Sequence, residues 1–408
     1  MNGIRTALVI GGGIAGPVTA LALQKAGIQA TVYEAYDSSA TQAGAMLTVA
    51  PNGLAALEII GADKLVQAVG HPLHSMVMEA GSGKQLMRVD TLPGLPPSCT
   101  LLRADLFRVL HDHAVAGGIT IEHGKRLVDL EQSATGVRAR FADGTTATAD
   151  ILIGADGIHS TVRGLIDPQA PEPEYTGLMS FGFGEFDSEG NLSDGGQGDI
   201  DAMHFAFGKR AFYGYWRQPD GSKVFFSNFP QAEPMTLAEA KAVPPQEWLN
   251  KLRAAHIGDR PGESLFAQTS VNKMIVTGPM ERMPHVRTWH RGRVVLVGDA
   301  VHAPSSSSGQ GASLAIESAI ELARCLRDIA DPTAAFATYE GLRRPRVEDI
   351  SDNAAKTNNG KTSGPVAKAM MGLVMPIATR TFLQAEKMFG PVHRFVIDWD
   401  ETVRAQQG

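Results

Sequence analysis

TALVIGGGIAGPVTALALQKAGIQATVYE, residues 6–34, reads as one βαβ unit. Thr6–Ile10 is a short apolar, β-branched run of the kind a buried parallel strand needs. Gly11, Gly13 and Gly16 satisfy G-x-G-x-x-G, Pro17 to Lys25 is helix-forming, Gly27 stops it, and Ala30–Tyr33 is a second strand closing on Glu34. The three glycines serve different ends. Gly11 allows the tight turn, Gly13 lets backbone approach a diphosphate, and Gly16 lets the helix pack on the strand. The helix start, with Ile14 and Ala15 in its first turn, offers free N–H groups and partial positive charge to phosphates. Glu34 is placed to accept from both hydroxyls of an adenosine ribose and would repel a 2′-phosphate. The unit therefore suits FAD or NAD and excludes NADP as its resident ligand.

Around this unit, 408 residues exceed one ordinary core, so two domains or one large domain with an insertion are expected. A hydrophobic content of 43% with 20% charged residues describes a globular protein. The net charge of −6 gives no reason to expect nucleic acid or an anionic membrane surface as partner. Cys99 and Cys325 are far apart and fit no metal-ligand spacing, so neither a disulfide framework nor a metal site is expected, and a reducing cytoplasm is the expected location. No apolar run has the length of a membrane span, and the strand at Thr6 leaves no room for a signal peptide.

Further along, Gly44 to Val49 reads as a short strand and Leu54 to Leu65 as a helix interrupted at Gly61. Leu73–Glu79 and Lys84–Val89 flank the turn Gly81-Ser82-Gly83 as a hairpin, and a helix opens after Leu102-Arg103. Ile119–Glu122, Arg126–Gln132 and Val137–Phe141 read as strands, as does Ile151–Ile153 ahead of Asp156-Gly157. Twelve aromatic rings then fall between Phe181 and Phe229, which points to a sheet with one face on a pocket or core. Pro234 to Ile257 reads as helix and Leu265 to Pro279 as one more strand of that sheet. Arg293–Val297 is again a buried-strand run before Gly298-Asp299, and a helix follows Gly309-Gln310-Gly311 to about Asp328. Gly360 to Pro365 reads as a linker and Met370 to Met375 as a packing surface.

Three stretches share one design, a hydrophobic strand ending in small residues and an acid: Gly11 to Glu34, Gly154 to Gly157, and Gly298 to Ala300. Ligands of parallel sheets bind at the carboxyl ends of strands, so the three ends converge on one long cofactor. On these motifs the chain resembles the class A flavoprotein monooxygenases, the p-hydroxybenzoate hydroxylase family, and within it the single-component hydroxylases of aromatic metabolites and antibiotics. The resemblance runs over nearly the whole chain.

It implies an α/β fold: a Rossmann-like FAD-binding domain with an inserted antiparallel-sheet substrate domain and a C-terminal helical segment. The expected division is 1–72, 99–170 and 286–345 for FAD, 73–98 and 171–285 for substrate, and 346–408 for the C-terminal helices. FAD contacts carried over are Gly11, Gly13, Ile14, Ala15, Gly16, Glu34, Arg103, Asp156, Gly157, Arg163, Gly298, Asp299, Pro304, Gly309, Gln310, Gly311 and Ala312. NADH or NADPH is implied as transient reductant bound on the FAD domain, since no second G-x-G-x-x-G follows a strand. O2 and a small aromatic or polyketide-like substrate complete the implied partners, with hydroxylation or epoxidation through a flavin C4a-hydroperoxide, and a monomer or homodimer as assembly. Ser306 stands where the family usually carries a proline, which keeps an FAD-dependent reductase or dehydrogenase on the same fold as the alternative. No catalytic side chain is assigned beyond the flavin. Met46, Phe181, Phe183, His204, Phe205, Tyr213, Tyr215 and Phe226 are the substrate-site candidates, because aromatic walls with a few polar tips suit a flat ligand.

Overall fold

The computed structural model describes residues 3–37, 46–183, 201–217, 223–361 and 385–405. Phe186, the 370–375 surface and residues 362–365 of the expected linker lie outside them, while Gly360 belongs to a helix.

The first unit forms as its sequence dictates: β1 (Thr6–Ile10), α1 (Ala15–Lys25) and β2 (Gln29–Tyr33). β3 (Met46–Val49), α2 (Pro51–Glu58), α3 (Asp63–Val69), β4 (His71–Leu73), β5 (Ser75–Ala80), β6 (Gln85–Asp90), β7 (Ser98–Leu102) and α4 (Arg103–Ala116) follow. β8 (Thr120–Glu122), β9 (Leu127–Gln132), β10 (Val137–Phe141), β11 (Thr146–Ala149), β12 (Ile151–Gly154) and α5 (Thr161–Ile166) lead to the inserted region. That region holds β13 (Glu174–Phe183), β14 (Ala202–Phe207), β15 (Phe212–Arg217), β16 (Lys223–Pro230), α6 (Leu237–Ala242), α7 (Pro245–Ala255), α8 (Gly262–Gln268) and β17 (Met274–Arg282). β18 (His290–Arg291), β19 (Val294–Leu296), α9 (Gly311–Asp328) and α10 (Pro332–Lys361) return to the first core, and a last helix spans Ala385–His393.

One six-stranded sheet runs β18-β19-β12-β1-β2-β8, parallel throughout except for the antiparallel edge strand β18. β1, β12 and β19 are buried almost throughout, as strands covered on both faces must be. α1 and α9 pack against each other over one face, while Tyr33 of β2 stacks on Phe141 of the β9–β11 sheet at 4.8 Å. The carboxyl ends of β1, β12 and β19 lie side by side and carry Gly11, Ala155-Asp156 and Gly298.

The second sheet has seven strands, β17-β13-β16-β15-β14-β5-β6. It is antiparallel but for β14 on β5, because the 75–90 hairpin joins from a separate part of the chain and lies alongside in the same direction. The helical reading of 234–257 resolves into α6 and α7, broken at Pro244-Pro245, where a proline lacks the N–H that would continue the first helix. The reading of 265–279 as one strand is corrected: Leu265 and Phe266 bury their side chains from helix α8, and the strand begins only at Met274.

Candidate functional site

The first strand end is shaped by forced close approaches. Gly11 has φ +103°, and a Cβ there would lie 2.8 Å from Asp156 Cα. A Cβ on Gly16 would run into the Gly11 carbonyl, so helix α1 can start this close to β1 only with glycine at that position. Gly13 is the opposite case: nothing lies within 4 Å of where its Cβ would stand. The same open space lies over Gly157, Gly309 and Gly311, on the loops that meet the strand ends. These glycines border a cradle that side chains would fill, and it fits an extended diphosphate-bearing ligand. The buried Glu34 accepts from Gly12 N at 2.6 Å and from Tyr36 N at 2.9 Å, which leaves carboxylate lone pairs for two ribose hydroxyls.

At the second strand end, Asp156 accepts from Ser160 Oγ at 2.5 Å and Val162 N at 3.0 Å, and burial raises its carboxyl above the usual range. Those bonds fold the loop that opens α5. The buried Arg163 donates to the Ala300 carbonyl at 3.0 Å, so it ties the second strand end to the third. Asp299, at the third, is pushed up to about 6 by burial, and the charge of the exposed Arg103 opposes that rise. Arg103 begins α4 directly after β7.

Helix α9 begins beyond a serine turn in which Pro304 and Ser305 are buried and Ser306 is exposed. Its N-cap Gln310 is buried and accepts from Asn52 Nδ2 at 3.0 Å, while Ser308 Oγ accepts from Gln310 N at 3.0 Å. Asn52 Nδ2 also donates to Glu317 Oε1 at 2.6 Å. Glu317 is fully buried and held by Arg343 at 2.7 Å and Arg346 at 2.9 Å, both from α10, which keeps its carboxyl below the usual range although burial opposes this. The N-terminus of α9, with Gly311 and Ala312, is thus braced by a buried ionic cluster. Sequence reasoning missed Asn52, Glu317, Arg343 and Arg346, because Asn52 lies 265 positions from Glu317 and no local pattern joins the four. His302 packs under the same loop, its Nε2 2.8 Å from Ser318 Oγ, and burial with the nearby Arg343 charge pushes it down to about 3.

The inserted sheet separates the substrate candidates by face. Side chains alternate along a strand, and the register puts Met179, Phe181, Phe183, Phe225, Tyr213, Tyr215, His204 and Glu79 on one face. Helices α6 to α8 cover it: Phe181 lies 5.0 Å from Trp248, and Phe183 stacks on Phe225 at 4.5 Å beside Phe266. Of the expected substrate-site residues, Phe181, Phe183, Tyr213, Tyr215 and His204 thus lie on the face that carries the packed layer of α6 to α8. Phe181, Phe183 and Tyr213 form the core of this layer. His204 sits 2.9 Å from Glu79 Oε1 and stacks on Tyr215, whose hydroxyl donates to Glu79 Oε2 at 2.9 Å, so all three are satisfied there.

The other face carries Met203, Phe205, Trp216, Val224 and Phe226, and Leu73 of β4 packs on it. Met46 packs into that patch, and Met46 pairs in register with Leu102, the residue before Arg103. This face thus adjoins the open strand ends. Of the sequence candidates, the structure brings Met46, Phe205 and Phe226 to this side. Leu73, Met203 and Val224 join them, which aromatic content does not single out, together with Trp216, one of the twelve rings of this region.

One further constellation has the hydrogen-bond pattern of a nucleophile triad. Ser227 Oγ lies 3.0 Å from His256 Nε2, and His256 Nδ1 lies 3.1 Å from Asp259 Oδ2. All three are buried, the imidazole is stacked on Phe266 at 4.0 Å, and burial lowers its pKa. A nucleophile without access reacts with nothing; the network ties α7 and the 256–261 turn to the sheet, and Asp259 Oδ1 also accepts from Lys209 N at 2.9 Å.

A family model described as an FAD binding domain matches residues 5–354. The FAD-dependent urate hydroxylase of Klebsiella pneumoniae is 32% identical over 362 residues, which cover 86% of this chain and 88% of that protein. The aurachin C monooxygenase/isomerase of Stigmatella aurantiaca is 29% identical over 85% of this chain and 86% of its own length. Among solved structures, HpxO of Klebsiella pneumoniae complexed with FAD and uric acid superposes with a TM-score of 0.81 at 26% identity and covers 96% of each chain. A salicylate hydroxylase substrate complex, at 21% identity and a TM-score of 0.76, covers 97% of this chain and 96% of that one and shares the fold.

Proposed function

The chain belongs to the FAD-binding-domain family of class A flavoprotein monooxygenases, and from that premise we propose where it holds its cofactor and its substrate. It is an FAD-dependent monooxygenase of the aromatic-hydroxylase type. Bound FAD, reduced by NAD(P)H, supplies the oxygen activation that this chemistry needs. The residues of the chain bind, orient and exclude water. Gly11, Gly13, Ile14, Ala15 and Gly16 present the backbone N–H groups of the α1 start to the diphosphate, and Glu34 takes the adenosine ribose. Arg103 and Asp299 flank the flavin portion. Gly157 and Arg163 shape the adjoining loop, and Gln310, Gly311 and Ala312 aim the N-terminus of α9 at its ring edge, where partial positive charge stabilises developing negative charge.

The substrate lies between that ring and the sheet face of Met46, Phe205, Trp216 and Phe226. One observation carries this placement: Met46 packs into the patch while its strand partner Leu102 leads directly into Arg103. The test is turnover of FAD-loaded protein with NAD(P)H, a panel of phenols and fused heteroaromatics, and isotopically labelled O2. Substrate-stimulated NAD(P)H consumption with label in the product is the expected result. NAD(P)H consumption that reduces the added compound, with no label incorporated, would replace this reading with the reductase one.

A further inference from the structure

The large sheet sorts its charges as strictly as its aromatic rings. Its flavin-side face carries Met203, Phe205, Trp216, Val224 and Phe226, with Leu73 of β4 packed on it and no ionisable side chain among the described residues of that face. The cationic side chains of the neighbouring strands go the other way. Arg217 and Lys223 alternate with Trp216 and Val224 and so take the opposite face. Arg88 is in register with Val77, on that same opposite face. Arg210 donates to the carbonyls of Ala255 at 3.0 Å and Ile257 at 2.8 Å, under the helices. Arg103 follows Leu102, the strand partner of Met46, and its charge acts on Asp299.

An anionic ring held against such a wall loses water and gains no counter-charge from it, and desolvating an unpaired carboxylate is strongly unfavourable. We infer that this hydroxylase selects a flat aromatic substrate without a carboxylate or other fixed negative charge, with Met203, Trp216 and Val224 as the residues that enforce the choice. The inference rests on the placement of the substrate given under Proposed function.

Its test compares ligands that differ only in charge: 4-hydroxybenzoate with its methyl ester, salicylate with salicylamide, and quinoline-2-carboxylate with its carboxamide. Binding to FAD-loaded protein is read at neutral pH by quenching of Trp216 fluorescence, with Trp216→Phe as the control that removes the signal, and turnover is read separately. Neutral ligands are expected to bind at least tenfold more tightly than their acids. Val224→Arg, checked for retained FAD and cooperative unfolding, is expected to reverse the order by placing a cation on the face. Should the acids bind and turn over as well as their neutral partners, the charge selection is wrong while the hydroxylase reading stands. If no ligand of either kind quenches Trp216 while the labelled-oxygen experiment yields product, the substrate lies elsewhere, and the placement falls together with this inference.

Discussion

His302 lies four residues after Gly298, and its burial gives the fold an acid-sensitive point whose size follows from the structure. The imidazole is 4% exposed, 2.8 Å from Ser318 Oγ, and held down to about 3 by burial and by the neighbouring Arg343. An unfolded histidine titrates near 6.5. Because the folded value is the lower one, the unfolded chain takes up the proton first. The stabilisation is therefore intact above about pH 6.5 and is lost progressively as pH falls toward the folded value. Between pH 7 and pH 5 the difference amounts to about 2 kcal/mol, since at pH 5 the unfolded histidine is almost fully charged and the folded one neutral.

The assay is urea unfolding of the wild type and of His302→Gln, each with FAD in equal excess, at pH 7, 6 and 5. Glutamine retains a polar group opposite Ser318 but has no proton to take up. The variant is expected to be less stable at pH 7, by about 1 kcal/mol for an altered buried hydrogen bond. Its stability should then fall less steeply with acid, so that the gap closes or inverts by pH 5. Other buried groups act in both proteins and cancel in the comparison: His256 and His393, lowered by burial, lose stabilisation with acid, and Asp299, raised to about 6, gains it. Parallel profiles, with a gap constant to within about 0.5 kcal/mol, would refute the linkage.

Gly16→Ala should purify without FAD, because the added methyl meets the Gly11 carbonyl and pushes α1 off the strand; the ratio of flavin to protein absorbance reads this directly. Arg103→Ala removes the positive charge that opposes protonation of Asp299, so FAD should dissociate more readily and its affinity should depend more strongly on pH between about 6 and 8. Unchanged flavin occupancy across that range would sink the assignment. Asp259→Asn keeps the shape but disturbs a buried network with a neutral imidazole, and a loss of about 1–3 kcal/mol in unfolding free energy is expected with KM for substrate unchanged. Phe181→Leu should behave in the same way, lowering stability by about 1–3 kcal/mol through lost packing under Trp248, whereas Phe205→Ala should raise KM more than it lowers stability. A Phe181 variant with normal stability and altered substrate preference would return that ring to the substrate site.

What the chain reveals before folding differs between its two sheets, and the difference is physical. The βαβ unit is legible because its constraints are local: the turn at Gly11, the contact of Gly16 with Gly11 and the Glu34 hydrogen bond to Gly12 all lie within residues 11–34. The aromatic region is equally clear as a sheet, since alternation is a property of neighbours. Alternation states that Tyr213 and Phe212 point oppositely, but not which of them meets the cofactor. That choice depends on which face α6 to α8 cover, hence on helices that lie further along the chain, between Leu237 and Gln268, and aromatic character does not encode it. The bracing of α9 is less local still, for Asn52 from α2 and Arg343 and Arg346 from α10 meet at Glu317 only after the whole first core has closed. Such a cluster is unfavourable to leave half-formed, because each partner removed strands a buried charge. The position of the α9 N-terminus therefore depends on α2 and α10 together, through a contact between residues 265 positions apart.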